Sequence, residues 1–316
     1  MNNSRNIPTR CAALLGIVLL GTACPTAAHA AGYAAAAWWI WPLALFLVCF
    51  LLGMVAVPAG IGGGVLFVPI VTGFFPFHFD FVRGAGLLVA LASALAAGPG
   101  LLRAGLADLR LALPLALLAS VGAIAGALIG LALPVAAVQA ALGFTILCIA
   151  ALMWASKRSE YPEVALPDAL GAALRINGVF HDRATGHDIA WRVHRTPLGL
   201  VLFSGIGLLA GLFGLGAGWA NVPALNLLMG VPLKVSAGTS GTILAVVDAS
   251  AAWIYLNEGA LLAVVAAPSV IGMMLGAFIG VRLLGFMRAS SIRILVIAML
   301  LIAGLRALSK GLGIWS

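Results

Sequence analysis

Apolar residues run along this chain in long blocks: 38–57, 87–102, 111–133, 135–155, 198–213, 239–256, 261–281 and 292–308. Several approach or exceed the roughly 20 residues that cross a bilayer. They predict α-helices that are apolar on every side, not amphipathic helices of a soluble core. Two blocks run straight into glycine. Residues 57–69 read VPAGIGGGVLFVP and residues 211–223 read GLFGLGAGWANVP. Each predicts a helix, a break, and a short second helix starting near Val65 or Trp219.

Composition agrees with the pattern. The 316 residues are 63% apolar and 8% charged, against about 25% charged in soluble domains. The fold class expected is an all-α polytopic integral membrane protein. Its net charge of +8 therefore says nothing for nucleic acid; Lys and Arg in such a chain report orientation. Residues 1–30 read as a targeting segment: Arg5 and Arg10, then an apolar stretch over 11–23, then Ala28-His29-Ala30 as a small-residue cleavage pattern. The four cysteines, Cys11, Cys24, Cys49 and Cys148, form no Cys-x-x-Cys pair. They imply neither a disulfide framework nor a metal site. No cofactor is expected.

Shifted by 154 residues, the chain aligns with itself without a gap. Gly53, Gly60, Gly62, Gly64, Gly84, Gly105, Gly122 and Gly126 fall on Gly207, Gly214, Gly216, Gly218, Gly238, Gly259, Gly276 and Gly280. Pro69 and Pro114 fall on Pro223 and Pro268. The organisation predicted is a membrane repeat over 31–157, a polar basic linker over 158–197, and a second repeat over 198–316. Internal repeats are a hallmark of secondary transporters, whose sites lie near the midplane where repeats meet. Within the linker, RINGVFHDRATGHDIAWRVHR alternates around a Thr-Gly turn and predicts a β-hairpin. His181, Asp182, His187 and Asp188 have metal-ligand chemistry, but an exposed polar hairpin accounts for them more simply.

Charge then constrains the number of crossings. If each glycine-split segment crosses once, the basic linker lies outside, against the positive-inside rule. If each turns back as a re-entrant hairpin, every half crosses three times and the halves are inverted. The inside then holds Lys157, Arg158, Arg175, Arg183, Arg192, Arg195, Arg103, Arg110, Lys234, Arg282, Arg288 and Arg293; the outside holds Arg83, Arg306 and Lys310. Five crossings per half satisfy the same rule, although residues 65–72 and 219–229 look too short to span.

Broken backbone at membrane depth is tolerated only inside protein or along a cavity. Gly60, Gly62, Gly63 and Gly64, with Gly214, Gly216 and Gly218, are therefore expected where the repeats meet. The short helices after them would present unpaired, partly positive N–H groups to a small anion. Asn221, Lys234, Thr239 and Ser240 are the polar candidates beside the second turn, with Asn226, Ser236 and Thr242 nearby. Arg83 is the cation of the first half. Asp248 is the one acid well inside a span and a candidate coupling residue. Gly122, Gly126, Gly276 and Gly280 have small-xxx-small spacing and read as helix packing.

GLLAGLFGLGAGWANVPAL, then GVPLKVSAGTS, with the echo GIGGGVLFVP in the first half, resemble the TauE/SafE family of sulfite exporters. The linker resembles that of one bacterial branch. The likeness covers roughly residues 50–310. It implies a multi-pass protein of a bacterial-type inner membrane that moves sulfite, sulfoacetate, thiosulfate or a similar sulfur anion. A homodimer is compatible with it. Ala217 replaces a glycine usual in the second motif, and Ala85-Gly86 stand where the second half has Thr239-Ser240.

No Gly-x4-Gly-Lys-Ser/Thr loop is present, so ATP hydrolysis by this chain is not expected. Neither a Gly-x-Ser-x-Gly nucleophile nor His-Glu-x-x-His occurs, which argues against an intramembrane hydrolase. The remaining alternative is a non-transporting anchoring protein that docks a partner through the basic linker.

Overall fold

The computed structural model describes residues 39–56, 62–103, 105–155, 168–182, 187–283 and 289–313. The chain divides into a leading unit ending at Trp41 and a main unit from Pro42 onward, which holds nearly all of the described residues. The targeting segment 1–30, Gly60, linker residues 156–167 and the Thr-Gly turn lie outside the described residues.

The described residues form α1 (Ile40–Ala56), α2 (Gly63–Phe74), α3 (Phe79–Arg103), α4 (Leu109–Ala132) and α5 (Val135–Ala155). The linker comes next, with α6 (Ala169–Ala173) and strands β1 (Asn177–Asp182) and β2 (His187–Arg192). The second half has α7 (Thr196–Phe213), α8 (Gly218–Pro223) and a π-helical turn (Ala224–Leu228), then α9 (Leu233–Asn257), α10 (Ala263–Leu283) and α11 (Ala289–Gly311). Helix starts repeat at the same offset of 154: 79 and 233, 109 and 263, 135 and 289. The long helices α3 and α9 begin about two turns earlier than their apolar blocks, so FDFVRG and LKVSAGTS are helical. Pro223, which has no N–H and crowds the preceding turn, marks the point where α8 widens into the π turn.

Close glycine contacts reveal the direction of each helix. A Cβ on Gly199 would lie 2.7 Å from the Met229 sulfur, and the His194 amide donates to the Met229 carbonyl. The start of α7 therefore meets the end of the π turn, and the chain doubles back at Gly214. The first half behaves likewise. The Gly63 amide donates to Ser93 Oγ, whereas Gly64 packs on the Gly86 carbonyl, so α2 runs antiparallel to α3. Parallel packing of α1 on α10 is seen where Gly272 meets Cys49 and Gly280 meets Gly53. Each glycine-split segment is thus a hairpin, and three helices come after it.

Helices at equivalent positions run in opposite directions. Gly84 of α3 lies by Tyr255, at the end of α9, while Leu101 lies by Gly241 near its start. Gly311 and Gly304 of α11 lie by Ala140 and Ile146 of α5. Tight seams join the halves: Gly122 and Gly126 of α4 press on backbone of Ser204 and Leu208 in α7, and Gly207 and Gly211 press back on Ala119 and Ala123. Gly276 and Gly280 do the same for α10 against α1. Only glycine allows backbones this close.

Apolar side chains cover the outside: Leu117 is 63% exposed, Val121 65% and Val201 71%. Such a surface suits lipid and not water. Among the described residues, Arg103, Arg110, Arg175, Arg192, Arg195 and Lys234 gather at the end where α7 starts, and Arg83, Arg306 and Lys310 at the other. The β-hairpin pairs His181 with Asp188 and Asp182 with His187. It is not the freely exposed element expected from its polarity. Phe180, Trp191, Ile176 and Val193 are buried in the same core as Met229 and Phe203, with Val179 turned outward. Asp168 anchors this linker by accepting from both the amide and hydroxyl of Thr196 at the start of α7.

This architecture makes two outcomes expected. Asp188→Cys, at an exposed linker position, should react with a membrane-impermeant maleimide only after the cytoplasmic face is opened; labelling of intact cells would reverse the orientation. Gly207→Val should lower thermal stability in detergent by about 1–3 kcal/mol or more, because the seam with Ala119 has no room. Gly205→Val, which meets nothing within 4 Å, should leave it near wild type.

Candidate functional site

The two glycine turns meet. A Cβ on Gly218 would fall 2.7 Å from the Gly62 nitrogen and 2.6 Å from Leu244 Cδ1. One on Gly62 would stand 3.3 Å from Leu244 and 3.7 Å from Gly218 Cα. Leu244 lies near the middle of α9, and Ser93, which receives the Gly63 amide, lies near the middle of α3. Both short helices therefore start at about half depth, back to back. Gly63, Gly64 and Gly218 are buried, and Gly62 is partly exposed.

The starts of the two short helices are capped differently. In the first half, Ser93 accepts from the Gly63 amide at 3.3 Å and donates to the Ala90 carbonyl at 2.8 Å. In the second, Gly214 and Gly216 have φ of +69° and +72°, a left-handed region that glycine enters without cost. The right-handed Ala217 that comes next turns successive amides to one side, a geometry suited to anions. The Asp248 carboxylate faces this turn, with Oδ2 2.9 Å from where a Gly216 Cβ would be. Asp248 is fully buried, and neither oxygen has a hydrogen-bond partner of normal geometry; the Ala217 amide interacts with it more loosely. At the 154 offset, Ser93 precedes the position equivalent to Asp248 by one residue. Sequence reasoning missed Ser93, and a lone hydroxyl beside that equivalent position was the available signal.

The other polar candidates separate into two groups. Asn221 stays with the turn: one helical turn past Ala217, fully buried, with neither amide atom paired. Ser240 is buried one turn below Leu244. Thr239 is instead committed to structure, its hydroxyl accepting the Asp108 amide at 3.1 Å ahead of α4. Lys234 is ten residues, or about 15 Å, below Leu244, at the basic mouth and not beside the turns. Asn226 donates to the Val231 carbonyl, and Ser236 Oγ donates to the same oxygen. These two shape the return from the π turn into α9.

Arg83 does not serve the first turn as its sequence position suggested. It lies at the far end of the second hairpin, 1% exposed, paired with Asp80 and donating to the Leu212 carbonyl at 2.9 Å. Phe79 and Tyr255 flank its guanidinium at 4.8 and 5.6 Å. Tyr255 donates to the Gly211 carbonyl at 2.9 Å. Arg83 and Tyr255 thus occupy the free carbonyls at the C-terminal end of α7 and favour its negative dipole end. Arg306 and Lys310 do the same for α2, one stacked on Phe74 and the other donating to the Thr72 carbonyl. A broad depression of about 560 Å³ is lined by Asp80, the partner of Arg83, with His78, Leu131 and Glu258.

This arrangement offers a small anion helix-start amides and the unpaired side-chain amide of Asn221, with the Asp248 carboxylate as a competitor for them, and no nucleophile–base pair among the described residues beside them. The comparisons with known proteins point the same way. No curated protein and no solved structure matches the chain. One family profile, described as sulfite exporter TauE/SafE, matches residues 45–307, from α1 to near the end of α11. That span includes both hairpins and both halves, and the chain belongs to the sulfite exporter TauE/SafE family of membrane transporters.

Proposed function

We propose that this protein is a secondary transporter that exports a small sulfur oxyanion or organosulfonate, of which sulfite is the simplest, across a bacterial inner membrane. The anion binds where the two glycine hairpins back onto each other, against amides of the turns at residues 62–64 and 214–218, with Asn221 and Ser240 as side-chain partners. Lys234 raises the local anion concentration at the basic, cytoplasmic mouth. The observation that carries this reading is the meeting of Gly62 with Gly218 at half depth, next to the buried, unpaired Asn221.

The reading explains why the meeting point holds no Lys or Arg. A carrier must release what it binds. A fixed cation buried in apolar protein would be costly when empty and slow to let go when full. Oriented amides give partial charge at no such cost. Inverted hairpins also suit alternating access, since each can open its own side while the other holds the centre.

Two substitutions test the site. Gly218→Ala puts a methyl between Gly62 and Leu244, and sulfite flux into proteoliposomes should fall at least tenfold with normal membrane insertion. Gly98→Ala, which meets nothing within 4 Å, should transport as wild type. Asn221→Leu should weaken sulfite binding about ten- to a hundredfold, the worth of one hydrogen bond to a charged group at ~1.5–3 kcal/mol. Wild-type flux in Gly218→Ala and wild-type affinity in Asn221→Leu would place the site elsewhere. Absence of anion flux in the wild type would favour an anchoring role.

A further inference from the structure

Asp248 has no structural work that accounts for it. An ionised carboxylate inside apolar protein is expensive unless it is paired or fully hydrogen-bonded. Asp248 is fully buried, yet neither oxygen finds a partner of normal geometry. A hydrogen-bonded structural aspartate would have one, as Asp168 does with Thr196. Nor is there a cation for it among the described residues. On α3 the titratable groups are Asp80, Arg83 and Arg103, and on α4 Arg110, with Asp108 just before it. Arg83 is bound at the level of Tyr255, and Asp108 at the level of Thr239. These are seven and nine residues from Asp248 along α9, or about 10 and 13 Å. On α9 itself Lys234 is fourteen residues away and Tyr255 seven, its hydroxyl committed to the Gly211 carbonyl. Neither α7 nor α8 carries a titratable side chain. What does face Asp248 is the Gly216 turn, the same amides assigned to the transported anion.

Two negative charges cannot share one set of amides. We propose that Asp248 is a proton-binding site whose carboxylate competes with the transported anion for the amides of the 214–218 turn, so that anion binding takes up a proton. With the site empty and open to water, the carboxylate ionises against the amides of the turn. When an anion enters, a proton from the aqueous side adds to a carboxylate oxygen, and the neutral acid gives up the amides. For a monovalent anion the net charge of the centre is then the same loaded or empty. A loaded centre that gains no charge crosses its own closed state without the penalty of a new buried ion. The result is a carrier that moves anion and proton together in one direction.

This inference rests on the proposed anion site, and the experiment separates the two. Sulfite affinity of the purified full-length protein is measured against pH for wild type and Asp248→Asn; protonation of sulfite itself affects both alike. The wild-type affinity should fall relative to the variant as pH rises, by up to about tenfold per unit, the limit for one linked proton. Parallel profiles would overturn the proposal while leaving the anion site intact. No sulfite binding by wild type would remove both. If Asp248→Asn does not fold, proton uptake by wild type on adding sulfite in weak buffer decides. Corrected for the protons that sulfite exchanges by itself, it should approach one per anion bound, and no uptake sinks the idea.

Discussion

Backbone amides have nowhere to go inside a bilayer, and this protein places two sets of them at its centre. A helix that starts at half depth leaves its first N–H groups without acceptors, where water cannot supply them. Everything near the middle answers that constraint. Ser93 takes the Gly63 amide. Asp248 leans towards the Ala217 turn. The two turns shelter each other from lipid by backbone contact at Gly62 and Gly218. The opposite ends carry the complementary burden, and side-chain donors meet it: the Arg83 guanidinium and the neutral Tyr255 hydroxyl at the free carbonyls of α7, and the Lys310 ammonium at that of α2.

Glycine makes this possible twice over, through different physics. At Gly214 and Gly216 its value is conformational, because positive φ lets the chain reverse within four residues. At Gly122, Gly126, Gly207 and Gly211 it is volumetric, because no side chain fits between α4 and α7. The second use supports the first. The hairpins cannot fill a membrane-spanning slot alone, so the seams must hold the long helices close enough to enclose them.

Much of this was legible in the chain, because lipid narrows the choices. Apolar blocks gave helices, and 135–155 matches α5 to the residue. Charge counting favoured a hairpin over a crossing, and the contact of Gly199 with Met229 agrees with it. Helix starts were less legible. In a membrane protein the ends of long helices are polar, so an apolar block underestimates α3 and α9. Roles of single polar residues were least legible. Thr239 and Asn221 look alike as hydrogen-bonding residues near a turn. One is consumed by Asp108 from 131 positions away, and the other has no partner. The linker misled for a related reason: its charges are real, but Phe180 and Trp191 belong to the core.

The two halves differ most where a symmetric site would need them equal. At the 154 offset, Asp248 stands opposite Ala94, Asn221 opposite Phe67, and Ser240 opposite Gly86. The first turn is capped by a neutral hydroxyl that has both its bonds, so it has little left to exchange. The second is faced by a carboxylate and an amide side chain with unmet hydrogen bonds. Two halves of matching helix order thus supply the geometry from both sides, while the groups with unmet hydrogen bonds are concentrated in one. On the proposed function, that division gives the second hairpin the groups that respond when the site fills, while the first contributes shape.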